Sequence, residues 1–260
     1  MIRDLGPPAL KREHGDVAPR GASTGSRRGL RAAIATTAVA AATWAVRDYR
    51  RWRALGPGGL PPHPGGWLVA TGLRALGRDP FRVRHPDADP ANTALRALPE
   101  RPGPRPRVSR HPVPHRVLDQ SPPEPLTAAL QSLLDEYGTK SPLLEHRTSR
   151  WEKHHQAVCL RGEHHPTELA RAAGGEIAHL HPSDGSLHVV LSPADAQQVI
   201  DRGWGELHPL AGARPGIGLP ATYVLLYPPR TIGDLAPLHA ILTAAAQHMT
   251  GRSRVRRPTP

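Results

Sequence analysis

Aromatic and sulfur-containing side chains are scarce in this sequence. Its 260 residues include five Trp, four Tyr, one Phe and two Met, set against 31 Pro and 25 Gly. Such a composition excludes a hydrophobic core running the whole length and points to one modest folded domain with extensions. Cys159 is the only cysteine. No intrachain disulfide and no cysteine-based zinc site can form, so folding depends on packing alone. A Ser-His-Asp nucleophile motif is also lacking.

Acidic residues are few in the first half. Residues 1–118 carry 21 Lys/Arg against 8 Asp/Glu, whereas residues 119–260 carry 13 against 14. The formal net charge of +12 therefore belongs to the amino-terminal half. Without the tail arginines Arg252, Arg254, Arg256 and Arg257, residues 119–251 hold 9 basic and 14 acidic side chains. A domain of that sign repels phosphate, and the flanking arginines lack the interleaved aromatics on which single-stranded bases stack. Charge thus argues against a nucleic-acid partner.

Long apolar runs are lacking as well. The one membrane candidate is Ala32–Val46, fifteen uncharged and mostly apolar residues between Arg27, Arg28 and Arg31 on one side and Arg47, Arg50, Arg51 and Arg53 on the other. As a helix it extends roughly 22 Å, short of the roughly 30 Å hydrocarbon core. Snorkelling arginines, with Leu30 and Trp44 at the interface, lengthen the span. Three readings stand. The first is a single membrane-anchor helix over residues 30–53. The second is an export signal, since Ser26-Arg27-Arg28-Gly29-Leu30-Arg31 resembles a twin-arginine leader and Ala40-Ala41-Ala42 offers small residues for cleavage. The third is an ordinary Ala-rich soluble helix. The protein is then membrane-associated through residues 30–53, exported or cytoplasmic, respectively.

Around that segment, residues 1–29 read as a disordered basic leader with almost no large apolar side chain. Residues 54–125 read as a Pro/Gly-rich linker, with sixteen prolines between residues 56 and 125, a density that favours extended chain. A short apolar helix near residues 66–77 interrupts it, placing Trp67, Leu68, Leu73 and Leu76 on one face. Residues 126–251 read as the folded domain, and 252–260 as a basic tail.

Within that domain the spacing predicts a helix over Leu126–Tyr137, a strand over His154–Leu160 and a short helix over Pro166–Ala173. A hairpin follows, one strand through His179 and His181, a turn at Ser183–Ser186 and a return over Leu187–Leu191. Ser192 and Pro193 open a helix running to Gly203. A buried strand over Thr222–Leu226 and a closing helix over Ile232–Met249 complete the order. The fold class predicted is α+β: a single compact domain of a small, mostly antiparallel sheet packed with helices, preceded by an amino-terminal helix and a Pro-rich linker.

What the chain does have is histidine, concentrated between Glu176 and His188, with His208 twenty residues on. Side chains two apart on a strand share a face, so His179 and His181 point together and the hairpin returns His188 to them. Such a set has three uses. It can ligate a metal, with His179, His181 and His188 as ligands and Glu176 or His208 completing the site. It can supply a general base, one imidazole held by Asp184 or Glu206 while a second, or Arg230, stabilises an anionic oxygen. It can also simply satisfy backbone groups. Trp204 and Tyr223 admit a similar split between filling the core and lining a substrate pocket with Glu206.

The run GEIAHLHPSDGSLHVVLSPADAQQVIDRGWGELHPLAG, followed by LPATYVLLYPPRTIGDL, resembles the fungal luciferase-like domain. Upstream, DYRRWRALGPGGLPPHPGGWLVATGLRAL is similar to the segment after the amino-terminal membrane helix of the fungal luciferases, so roughly residues 30 to 250 are covered. The resemblance implies an oxygenase that adds O2 to an electron-rich hydroxypyranone or phenolic small molecule, forming a cyclic peroxide that loses CO2. It implies no flavin, nucleotide or required metal, with O2 as co-substrate. It favours His179, His181, His188, His208, Glu176, Asp184 and Arg230 as the catalytic set. Trp204 and Glu206, beside His208 in the sequence, are placed against the substrate together with Tyr223. A shared scaffold does not fix the substrate. Two other classes stand beside it: a small-molecule binding module without turnover, and a metal-dependent hydrolase or isomerase with His179, His181 and His188 as ligands.

Overall fold

Apolar residues at alternate positions between Leu144 and Leu226 build one open sheet of six antiparallel strands, in the order β1-β2-β3-β4-β6-β5. The strands are β1 (Leu144–Thr148), β2 (Gln156–Leu160), β3 (Glu176–Leu180), β4 (Leu187–Val190), β5 (Gly205–Leu207) and β6 (Tyr223–Leu226). Among the described residues six α-helices accompany them: α1 (Thr24–Arg53), α2 (Pro64–Leu73), α3 (Glu124–Lys140), α4 (Glu168–Ala172), α5 (Pro193–Asp201) and α6 (Leu235–Met249). The fold is α+β, as the sequence predicts. This computed structural model describes residues 24–163, 165–212 and 218–252. The expectations for residues 1–23 and 253–260 lie outside the described residues.

The two faces of the sheet differ sharply. Val158, Leu160, Ala178, Leu180, Leu187, Val189, Val224 and Leu226 belong to the main core together with Leu130 and Leu134 of α3 and Leu238, Ile241 and Leu242 of α6. Residues paired across antiparallel strands point to one side. The pairs Ala157↔His179, His179↔His188, His188↔Leu225 and Glu206↔Leu225 therefore mark the opposite face, which carries the polar groups.

That second face is covered by the stretch expected to be a linker, and the expectation is corrected here. Residues 48–260 form one compact unit, and Val83, Leu95, Leu98, Arg101, His111, His115, Arg116 and Val117 are buried. Proline cannot donate to a ladder, but its carbonyl still accepts. Arginines and a tryptophan supply the donors. Arg116 Nη2 donates to the Pro57 carbonyl (2.9 Å), Arg101 Nη2 to that of Pro228 (3.2 Å), Arg105 Nη2 to that of Ile200 (2.6 Å) and Trp52 Nε1 to that of Val113 (2.8 Å). Part of the basic charge of the amino-terminal half is thus spent on tying irregular backbone to the domain.

The short apolar helix is present as α2, capped by His63, which accepts from the Gly65 amide. Its buried side is Gly66 and Ala70; of the expected face, Trp67 and Leu73 are half-buried while Leu68 and Leu76 are exposed. Residues up to Arg47 form a separate unit. Over Arg27–Arg53, α1 is long and apolar enough to cross a membrane, with a mean hydropathy of 1.3 and none of that window buried.

Candidate functional site

The β3–β4 hairpin places the imidazoles. Gly185, at φ +71°, allows the tight reversal between Leu180 and Leu187, and a Cβ there would meet Pro122 at 2.4 Å. Asp184 fixes the same turn by accepting from the Ser186 amide (3.0 Å), the Ser186 hydroxyl (2.8 Å) and the Val117 amide (2.7 Å). As a result the ring of His181 lies 5.1 Å from that of His179 and 4.7 Å from that of His188, and the rings of His179 and His188 are 5.3 Å apart. All three are buried.

Hydrogen bonding fixes the tautomers of two of them. Glu176 accepts from Ser149 Oγ (2.9 Å) and the Arg150 amide (2.7 Å), so His179 Nδ1–H donates to its Oε1 (2.7 Å). Ser186 gives its single proton to Asp184, so its oxygen accepts from His181 Nδ1–H (2.8 Å). Both Nε2 atoms are left with lone pairs, facing each other at 3.2 Å. Glu152 Oε1 stands 3.9 Å from His181 Nε2, and its carboxylate is paired with buried Arg116 at 2.5 Å.

A second chain of groups leads outward. Glu206 Oε2 accepts from the Tyr227 hydroxyl (2.8 Å), and its Oε1 accepts from His115 Nε2–H (3.2 Å). His115 Nδ1 then carries a lone pair, 3.4 Å from His188 Nε2. The rings of His115 and His208 meet edge to face at 4.9 Å, and the ring of Tyr223 stacks on that of His188 at 4.5 Å. His115, His188, His208, Tyr223, Trp151 and Glu152 line a cavity of about 200 Å³, whose other walls are apolar, among them Leu60, Leu73, Val113 and Leu210. A larger cleft of about 580 Å³ beside Thr93 and Asp195 has no comparable set of groups. Its carboxylate is already committed to Ser192, Thr93 and the Ala94 amide.

Burial holds three of these imidazoles neutral. Desolvation pushes His181, His188 and His208 well below the ordinary histidine range, helped by Arg116 at His181, by His181 at His188 and by His115 at His208. Desolvation likewise drives Tyr223 well above the ordinary phenol range, with Glu176 and Glu152 adding to it. Cys159 is pushed up to about 11 by burial, so it is no nucleophile at neutral pH.

A stability prediction follows for His208, whose Nδ1 accepts from the Leu210 amide (3.1 Å). Its folded pKa lies below the unfolded value near 6.5, so its contribution is present above that pH. As the pH falls below 6.5 the unfolded chain binds the proton first, and stability drops by about 1.4 kcal/mol per pH unit for this group. Thermal unfolding between pH 7 and 5 should show the loss. His208→Gln should flatten the slope by that amount.

The luciferase domain model matches residues 174–245. The luciferase of Armillaria gallica is 31% identical over 241 residues, covering 86% of this chain and 89% of that protein. The luciferase of Armillaria mellea is 30% identical over 234 residues, 84% and 86% of the two chains. That of Neonothopanus nambi is 28% identical over 226 residues, 78% and 80%. The chain belongs to the fungal luciferase-like family. No solved structure matches it.

Within this luciferase-like chain, the domain match spans β3 to the first part of α6 and so includes His179, His181, His188 and His208. The structure brings these four together with Glu176, Asp184, Glu206 and Tyr223, the carboxylates acting as partners of the imidazoles or of their turn. Trp204 is a core residue, buried with its Nε1 donating to the Pro99 carbonyl (2.7 Å), and is not part of the cavity wall. Arg230 lies elsewhere. Its guanidinium donates to the Pro102 carbonyl and its amide to Asp234, at the start of the turn leading into α6. Sequence reasoning missed His115, Arg116 and Glu152, all outside the matched domain. The one visible signal for His115 and Arg116 is the run His111-Pro-Val-Pro-His115-Arg116, which the linker reading passed over.

Proposed function

We propose that this protein consumes O2 to oxidise an electron-rich hydroxypyranone or phenolic molecule held in the cavity of about 200 Å³. One observation carries the reading. In a chain of the luciferase-like family, an apolar cavity has at its wall an imidazole whose other nitrogen is held by a buried carboxylate, His115 with Glu206. That pairing leaves His115 Nδ1 as a proton acceptor, the arrangement a general base needs. His115 takes the hydroxyl proton of the substrate, and the resulting enolate is electron-rich enough to react with O2. The Tyr223 phenol, held above the ordinary phenol range, serves as a hydrogen-bond donor to the anion. The electrons come from the substrate, so no flavin or nicotinamide is invoked.

The test is O2 uptake by the full chain offered a panel of hydroxypyranones and polyphenols. Uptake that scales with enzyme supports the reading. Saturable ligand binding with no uptake would leave a binding module instead.

The amino-terminal helix is proposed to anchor the protein. Among the described residues α1 presents Leu30, Ile34, Val39, Trp44 and Val46 exposed, a surface suited to hydrocarbon. We expect the full chain to stay in the membrane pellet after alkaline carbonate extraction. Release into the supernatant, or a mature amino terminus beyond Ala42, would contradict an anchor.

A further inference from the structure

The proton count in the interior of the site is one short. His179 and His181 each commit Nδ1–H outward, to Glu176 (2.7 Å) and to Ser186 (2.8 Å). Their Nε2 lone pairs then oppose each other at 3.2 Å, a repulsive contact unless something positive sits between them. A shared proton would make one ring an imidazolium where neither ring is exposed and where the Arg116 guanidinium already stands close. A cation bound by both lone pairs removes the repulsion. Two nitrogens each about 2.0–2.1 Å from one ion lie roughly 2.9–3.4 Å apart for angles between octahedral and tetrahedral. The observed separation falls in that range.

Other donors converge on the same place. Glu152, His179, His181 and His188 each offer a ligand atom within 4.8 Å of the rest. His188 Nδ1 and the Tyr223 hydroxyl are buried polar atoms without a hydrogen-bond partner. Buried groups of this kind are normally satisfied, and an ion accounts for the histidine nitrogen directly. The supporting shell has the form that metal sites use. Glu176 fixes His179, Ser186 and Asp184 fix His181, and Ser149 fixes the chain entering Glu152 by accepting from its amide at 3.1 Å.

We propose that His179 Nε2, His181 Nε2, His188 and Glu152 bind one divalent first-row transition-metal ion. Three imidazoles with one carboxylate suit iron, manganese, cobalt or zinc, and two imidazoles with a carboxylate recur in non-haem iron(II) oxygenases. The proposal departs from the expectation that no metal is required. It does not rest on the oxygenase reading, because binding is measured without turnover, and His115 with Glu206 lies outside the ligand set. Arg116 balances the charge of Glu152 and orients it.

The experiment uses untagged full chain in detergent, stripped with chelator and titrated with cobalt(II) under nitrogen. Visible absorption and bound metal are the readouts. The expected result is one equivalent of cobalt bound per chain, with ligand-field bands in the visible region and a raised unfolding temperature. His179→Ala and His181→Ala should each weaken binding at least 100-fold while circular dichroism shows the chain folded. The unaltered chain decides the matter even if the variants do not fold. Less than 0.1 equivalent bound, or cobalt without ligand-field bands, would overturn the proposal, as would folded variants that bind cobalt as the unaltered chain does. Loss of O2 uptake with cobalt binding intact would count against the oxygenase reading alone.

Discussion

His115→Gln is expected to lower the turnover number for O2 uptake by about 10²- to 10⁴-fold, the range a positioned general base supplies. Glutamine can still donate to Glu206 and fills much of the same space, but it offers no basic nitrogen. His115 is buried between the rings of His188 and His208, so the variant should keep the local packing. Glu206→Gln should cost less. It leaves the imidazole in place and replaces the carboxylate by a neutral amide, whose oxygen is a weaker acceptor for His115 Nε2–H. An oxygen electrode with saturating substrate reads both, alongside circular dichroism for fold. A His115→Gln chain with undiminished turnover would remove His115 from the mechanism.

Arg116→Ala should unfold the protein far more easily, costing about 3–5 kcal/mol because it leaves Glu152 as an unpaired buried charge. The guanidinium contacts both Glu152 oxygens (3.3 and 2.5 Å), the Pro57 carbonyl (2.9 Å) and the His115 carbonyl (3.1 Å). One side chain therefore joins the Pro-rich cover to the sheet and neutralises the site. A loss of that size corresponds to a fall of roughly 6–20 °C in Tm. The double variant Arg116→Met, Glu152→Gln should recover part of it, since removing both partners avoids the bare charge. A fall no greater than that from a surface arginine such as Arg171 would show that the pair is not structural.

The sheet and the hairpin of imidazoles were legible because their cause is local. Two-residue alternation puts His179 and His181 on one face, a Ser-Asp-Gly-Ser turn returns the chain, and Ser192 with Pro193 starts α5 where capping chemistry requires. Two strands were not legible. β1, with the sequence LEHRT, is a charged edge without clear alternation, and β5 is three residues long. The cover over the imidazoles was hidden for a different reason. Its prolines and arginines look unable to build a core, yet they are held by bonds from Arg101 and Arg105 to carbonyls 127 and 95 residues away. Nothing in local composition reports a contact of that range. Arg230 was misplaced because Pro228 and Pro229 carry the chain away from the site, into the turn capped by Thr231 and Asp234. Glu152 escaped notice because its place depends on a turn held by Ser149, not on a strand pattern.

The measurement that tests the account most directly is mass spectrometry of the product formed by the full chain under ¹⁸O2. The account predicts O2 uptake in step with product, ¹⁸O incorporated into that product, and loss of both in His115→Gln. Product formed equally well under nitrogen, or label confined to peroxide and water, would contradict it.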